Sequence, residues 1–428
     1  MEKKQITVDG SDRVIFTEEM REEYTILFPN MLPRHFKLIS KVFQQFGYNA
    51  VQLENGLQGN CKEIIDTGLK YVHNDACYPA LLMIGQCINA LESGIYDSHK
   101  VALLMTQTGG GCRASNYISL MRKALKKAGL EYVPVISLNI AGLEKNPGFK
   151  LTPKMINPAL YSILFGDLLM CLTNQLRAKE KVQGSAAELA DRWTDRLAER
   201  MTGRHLPYSE VKKLYREIIA DFAAIEVREV KPIKVGIVGE IFVKFSPLGN
   251  NSLEDFLVSE GAEPVMAGLI DFVLYCIYNP IMDAKLYGNG KTAAPIYKLA
   301  CDYVAKKQQD MIDAIIEEGT FAPPAPFYKT CHANDGYISS GVKMGEGWLL
   351  TAEMLELIDS GVTNIVCAQP FGCLPNHISG KGMMKPIKER NPGVNIVAID
   401  YDSGATKINQ ENRIKLMLAN ALSDQDNG

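Results

Sequence analysis

The stretch from His99 to Asn139 constrains the fold more than any other. HKVALLMTQ (99–107) is a continuous apolar run of strand length, and TGGGC (108–112) follows it. RASNYISLMRKALKKAG (113–129) has the spacing of an amphipathic helix, and YVPVISLN (132–139) is again a strand. Strand, glycine loop, helix, strand is a βαβ unit. Parallel strands cannot be joined by a tight turn; they need a crossover, and its helix covers a face of the sheet. The chain therefore reads as α/β.

The alternation recurs on both sides. FKLISKVFQQFGY (36–48) is a helix stopped at Gly47, NAVQLE a short strand, and ALLMIGQCINALESG (80–94) a second helix. Residues 155–230 are almost wholly helical, with a break near Pro207. KVGIVG (234–239) restarts the pattern with a strand, the polar turn FSPLGNN, the helix SLEDFLVSEG and strand-like EPVMAG. Helices near 267–279 and 294–318 and the proline-rich turn FAPPAPFYK (321–329) come next. The last hundred residues alternate again: helix 347–361, strand TNIVCAQ, mostly helical HISGKGMMKPIKERNP, strand GVNIVAIDYD and helix 408–422. The expected organisation is an N-terminal α/β domain over 1–154, a helical connector over 155–230 and a C-terminal α/β domain over 231–428. A length of 428 residues suits two or three domains.

A net charge of −3 without a long basic run argues against nucleic acid as a partner. No apolar stretch approaches the roughly 20 residues that span a bilayer, so no membrane is expected. MEKKQITVDGSDR lacks the apolar core of a signal peptide. The expected location is the cytoplasm, where thiols stay reduced.

Ten cysteines then need an explanation. Cys87, Cys171, Cys276 and Cys301 sit in helix-like apolar segments and read as small core hydrophobes. Cys77, Cys112, Cys331, Cys367 and Cys373 lie among Gly, Pro, Asn, Asp and His, which is loop chemistry. Cys61, in NGLQGNCKE, is intermediate. In TGGGC, Gly109, Gly110 and Gly111 let the backbone pass close to a bulky group, and Cys112 stands at a helix N-terminus, where a thiolate is favoured. The spacing matches neither the P-loop nor the dinucleotide fingerprint, although a phosphate cradle and a plain turn remain competitors. NDACYPA (74–80) presents Cys77 at another helix start after a segment, GLKYVHND, read as extended. IVCAQPFGCLPNH (365–377) presents Cys367 at a strand's carboxyl end and Cys373 in the following turn.

Three loops that each deliver a thiol suit an iron–sulfur cluster, whose irons take soft thiolate ligands. Zinc is an alternative, though the paired C-x2-4-C knuckles of structural sites are absent. A thiol enzyme with His377 or His332 as base is another. His73, His332 and His377, near these loops, are candidates to hydrogen-bond cluster sulfurs or protonate a substrate, with a structural histidine the competing reading for each. His73 and His377 are the catalytic candidates. Lys244, Asn250, Asn251 and Glu240 in GEIFVKFSPLGNN form a further polar strand-end loop without diagnostic spacing. GEGW (345–348) reads as a glycine turn.

With these loops in view, the chain resembles the 2-hydroxyacyl-CoA dehydratase superfamily. It is similar to the C-terminal region of long CoA-substrate-specific activase-related proteins and to double-cubane-cluster proteins. The matching blocks are GLKYVHNDACYPALLMIGQ, MTQTGGGCRASNYISLMRKAL, GEIFVKFSPLGNN, GEGWLLTAEMLELIDSGVTNIVCAQPFGCLPNHISGKGM and NIVAIDYDSGATKINQENRIKLML.

The resemblance implies two Rossmann-like parallel-sheet domains joined by a helical region, with an iron–sulfur cluster in the interdomain cleft. It implies Cys77 and Cys112 as ligands from the first domain and Cys367 or Cys373 from the second. A [4Fe-4S] cubane would use three thiolates; a double cubane would want about six, with Cys61 and Cys331 completing the set. It further implies a separate ATP-hydrolysing activase as electron donor and an acyl-CoA or small-molecule substrate. Family dehydratases are heterodimers of related subunits, whereas a homodimer is expected for this chain. The expected function is a cluster-dependent reductase or dehydratase-like enzyme component. The alternative is an activase-docking module that conducts electrons without a substrate of its own.

Overall fold

The computed structural model describes residues 13–56, 61–73, 75–107, 111–138, 144, 146–203 and 206–426. The chain packs as two compact units. One comprises Met1–Ala159, Ala198–Arg204 and Phe245–Gly249; the other comprises Leu160–Leu197, His205–Lys244 and Asn250–Gly428.

Each unit is built on one four-stranded parallel sheet. In the first, β1 (Thr25–Phe28), β2 (Asn49–Gln52), β3 (Val101–Thr106) and β4 (Val135–Leu138) lie in the order β2-β1-β3-β4. All pairings are parallel, with Phe28 opposite Gln52 and Leu103 opposite Val135. Successive side chains point to opposite faces. Accordingly Ile26, Ala50, Ala102 and Ile136 join one buried cluster, while Leu27, Leu103 and Val135 join the other.

The inner strand β1 has no counterpart in the sequence reading. TILF is only four residues long, and both its faces are covered, so it shows no apolar–polar alternation. Its signals are the apolar run itself and the Pro29 that ends it.

The second sheet contains β5 (Lys234–Gly239), β6 (Glu263–Val265), β7 (Asn364–Pro370) and β8 (Asn395–Tyr401), in the order β6-β5-β7-β8 and again parallel. β7 runs on to Pro370, three residues past Cys367, which the sequence puts at the strand's carboxyl end. Cys367 is therefore a mid-sheet residue, opposite Val238 on one side and Ala398 on the other. Where β5 leaves the sheet, Gly239 has φ 155°, and a Cβ there would stand 1.8 Å from the carbonyl oxygen of Ala368. Only glycine allows that approach.

Most of the helical stretch belongs to the second unit, as Pro153–Arg177, Ser185–Gly203 and Tyr208–Ala223. Contrary to expectation, Pro153–Arg177 is long and apolar enough to cross a membrane by length and composition. Its Leu164, Phe165, Leu168, Leu169 and Leu172 are instead fully buried in the protein. Asp167, the lone acid in that run, accepts hydrogen bonds from the backbone N–H groups of Leu269 and Ile270 at 2.8 and 2.9 Å, capping the helix Leu269–Tyr287.

Candidate functional site

In an open parallel sheet, ligands bind outside the strands' carboxyl ends, where neighbouring strands send the chain in opposite directions. In the first unit that point is the β1/β3 junction, and the Cys112 loop follows β3. Gly109 and Gly110 lie outside the described residues; Gly111 adjoins Cys112. Cys112 itself precedes a short turn, Arg113–Asn116, that leads into the helix Tyr117–Lys127. The loop is pinned from within. Ser115 Oγ donates to the Cys112 carbonyl at 2.7 Å, and Gln107 Nε2 donates to the Ser115 carbonyl at 3.1 Å.

Cys77 reaches the same place by another route. GLKYVHND is not extended: Gly68–Tyr71 completes the helix Cys61–Tyr71, and Cys77 caps the next helix, Tyr78–Glu92. Two glycines close this helical corner. A Cβ on Gly85 would lie 2.3 Å from the Ile64 carbonyl oxygen, and one on Gly68 would lie 2.5 Å from that of Leu81. The backbones touch, and the intervening loop is held out toward the Cys112 turn. Arg113 donates to the Asp75 carbonyl, and Cys77 Sγ lies 2.9 Å from Tyr117 Oη. The two loops that sequence singled out separately are thus tied together.

In the second unit the equivalent point is the β5/β7 junction. Glu240 follows β5, and its Oε2 accepts from the Val243 N–H at 2.8 Å. Glu346, only 7% exposed, accepts from the Ile241 N–H at 3.0 Å. Burial raises both carboxyls above the usual range, and Glu346 raises Glu240 further because two neighbouring acids resist sharing two charges. Beneath them Lys244 and Glu353 form a buried ion pair. Glu346 and Glu353 were not among the expected site residues. GEGW read as a turn and LLTAEML as a plain apolar helix, and no local spacing joins either to Glu240, more than a hundred positions away.

Cys373 lies in the turn after β7, and burial raises its thiol, with Glu346 and Glu240 adding to the effect. Asn376 Nδ2 donates to Cys373 Sγ at 3.4 Å; its Oδ1 is buried without a hydrogen-bond partner. His377 is exposed, and its Nδ1 lies 2.8 Å from the Cys373 carbonyl oxygen. A carbonyl only accepts, so Nδ1 carries the hydrogen and Nε2 faces outward as an acceptor in the neutral ring.

The remaining candidates are placed differently. Cys367 is fully buried, and burial pushes its thiol up to about 12. Cys331 is helical rather than in a loop, within Phe327–Ala333, and burial raises its thiol too. An apolar, buried thiol is chemically inert. Cys61 begins the helix Cys61–Tyr71. His73 is exposed and accepts from the Asp75 N–H at 3.2 Å; His332 is exposed, 3.3 Å from Asp335. Of the four cysteines read as core, Cys87 and Cys301 are fully buried, Cys171 is half-buried and Cys276 is exposed.

Within the described residues no group of three or more His, Cys, Asp or Glu side chains is arranged to hold a metal ion. Cys77 and Cys112 fit a thiolate-bound group as half of a ligand set: both are loop thiols at helix starts, on segments joined by side-chain hydrogen bonds. No family model matches the chain, and no curated protein does either.

Proposed function

We propose that the chain is an iron–sulfur redox component. It takes low-potential electrons from a separate ATP-hydrolysing activase and reduces a small molecule or acyl-CoA, as its resemblance to the 2-hydroxyacyl-CoA dehydratase superfamily suggests. The observation that carries the reading is the coupling of the Cys77 and Cys112 loops through Tyr117 and Arg113. Soft thiolates on neighbouring loops suit iron better than hard oxygen ligands would.

Cys77 and Cys112 would hold the group. When bound, such a cluster supplies one-electron chemistry at low potential. The chain's own groups handle protons. Glu240 and Glu346 hold protons on their carboxyl oxygens at a pH where exposed acids have lost theirs, so they can give one up. His377 offers Nε2 to accept one.

The test is anaerobic reduction of the purified protein, followed by electron paramagnetic resonance. A signal that disappears in Cys77→Ser and Cys112→Ser supports the reading. A protein that stays silent and takes up no electrons with its thiols intact refutes it.

A further inference from the structure

Tyr117 is not among the residues that sequence singles out, yet its hydroxyl lies within hydrogen-bond distance of the Cys77 sulfur. It opens the helix Tyr117–Lys127, and its ring is 6% exposed, within the same cluster as Ile84, Ile118 and Met121. A ring packed in this way cannot swing, so its hydroxyl is delivered to one place. That place is 2.9 Å from Cys77 Sγ.

Arg113 lies one helical turn earlier and donates to the Asp75 carbonyl. One helix start therefore grips the Cys77 loop at two points, two residues apart. The backbone grip sets the loop's position; the hydroxyl sets the orientation of the sulfur. A metal-bound thiolate has no proton to give, so in that state the Tyr117 O–H is necessarily the donor.

We infer that Tyr117 is a positioning residue for Cys77, donating its hydroxyl hydrogen to the sulfur so that the thiolate is oriented toward a soft metal and its electron density is lowered. The inference rests on reading Cys77 as a metal thiolate. Hydrogen bonds of this kind orient metal ligands and shift the redox potential of iron–sulfur groups.

Tyr117→Phe keeps the packed ring and removes only the hydroxyl. The test titrates the metal-free, full-length protein with cobalt(II) and follows the thiolate-to-cobalt charge-transfer absorption, with Cys77→Ser defining the part that depends on Cys77. Tyr117→Phe is expected to bind cobalt roughly ten-fold more weakly at that site and to move the band, with an unchanged far-ultraviolet spectrum. The band position is a readout that loss of packing alone would not move.

Equal affinity and an identical band in Tyr117→Phe would overturn the inference, as would a wild-type band indifferent to Cys77→Ser. Iron and sulfide determined on the same proteins separate the two claims. A Tyr117-dependent cobalt site in a chain that never retains iron supports the positioning role and refutes the iron–sulfur reading.

Discussion

The Nζ of Lys244 lies 2.9 and 3.0 Å from the two carboxylate oxygens of Glu353, and both side chains are buried. A paired charge in the interior is tolerated; a single one is not. Lys244→Met strands the Glu353 carboxylate and is expected to destabilise the second unit by about 3–5 kcal/mol. Lys244→Met with Glu353→Leu removes both charges and recovers most of the loss. Urea unfolding of the two variants checks this; equal loss in both would contradict it.

Buried acids also give the fold a pH dependence with a definite sign. Burial pushes the Asp271 carboxyl up to about 8, with Asp167 and Glu353 raising it further and Gln308 and Lys244 opposing them. Glu240 and Glu346 are raised for the same first reason. The folded chain keeps these protons where the unfolded chain, with carboxyls near 4, has released them. Stability from these groups is complete below about pH 4 and is lost as pH rises toward 8. The urea midpoint should fall between pH 5 and pH 8; a midpoint that rises over that range would contradict the assignment.

Gly239 and Gly361 separate a close approach from mere backbone preference. Both have positive φ, 155° and 84°, but a Cβ on Gly239 meets the Ala368 carbonyl whereas one on Gly361 meets nothing within 4 Å. Gly361→Ala is expected to cost about 1 kcal/mol. Gly239→Ala forces β5 from β7 and should cost several times more, lowering the melting temperature correspondingly. Similar melting temperatures would show that the sheet yields.

How legible each feature was depended on its range along the chain. Strands such as KVGIVG and helices such as 294–318 follow from local periodicity, and they were readable. The Cys77 loop was recognised by its residues, but its setting was not: whether GLKY is helical is decided by Gly68 and Gly85 packing against backbone, which no local pattern announces. Cys367 reads as a strand end because Pro, Gly and His crowd the residues after it, yet β7 continues to Pro370. Glu346 and Tyr117 acquire meaning only through partners distant in sequence. The ties that matter most here are tertiary.

The central claim, that the Cys77 and Cys112 loops hold iron, is tested most directly by iron and acid-labile sulfide per chain after anaerobic purification. The account predicts about four or about eight irons with matching sulfide. It also predicts loss of most of that iron in Cys77→Ser and Cys112→Ser, and retention in Cys87→Ser, where the thiol is only core. A wild-type chain that carries no iron with all its cysteines reduced, or one that keeps its iron in Cys77→Ser and Cys112→Ser, would contradict it.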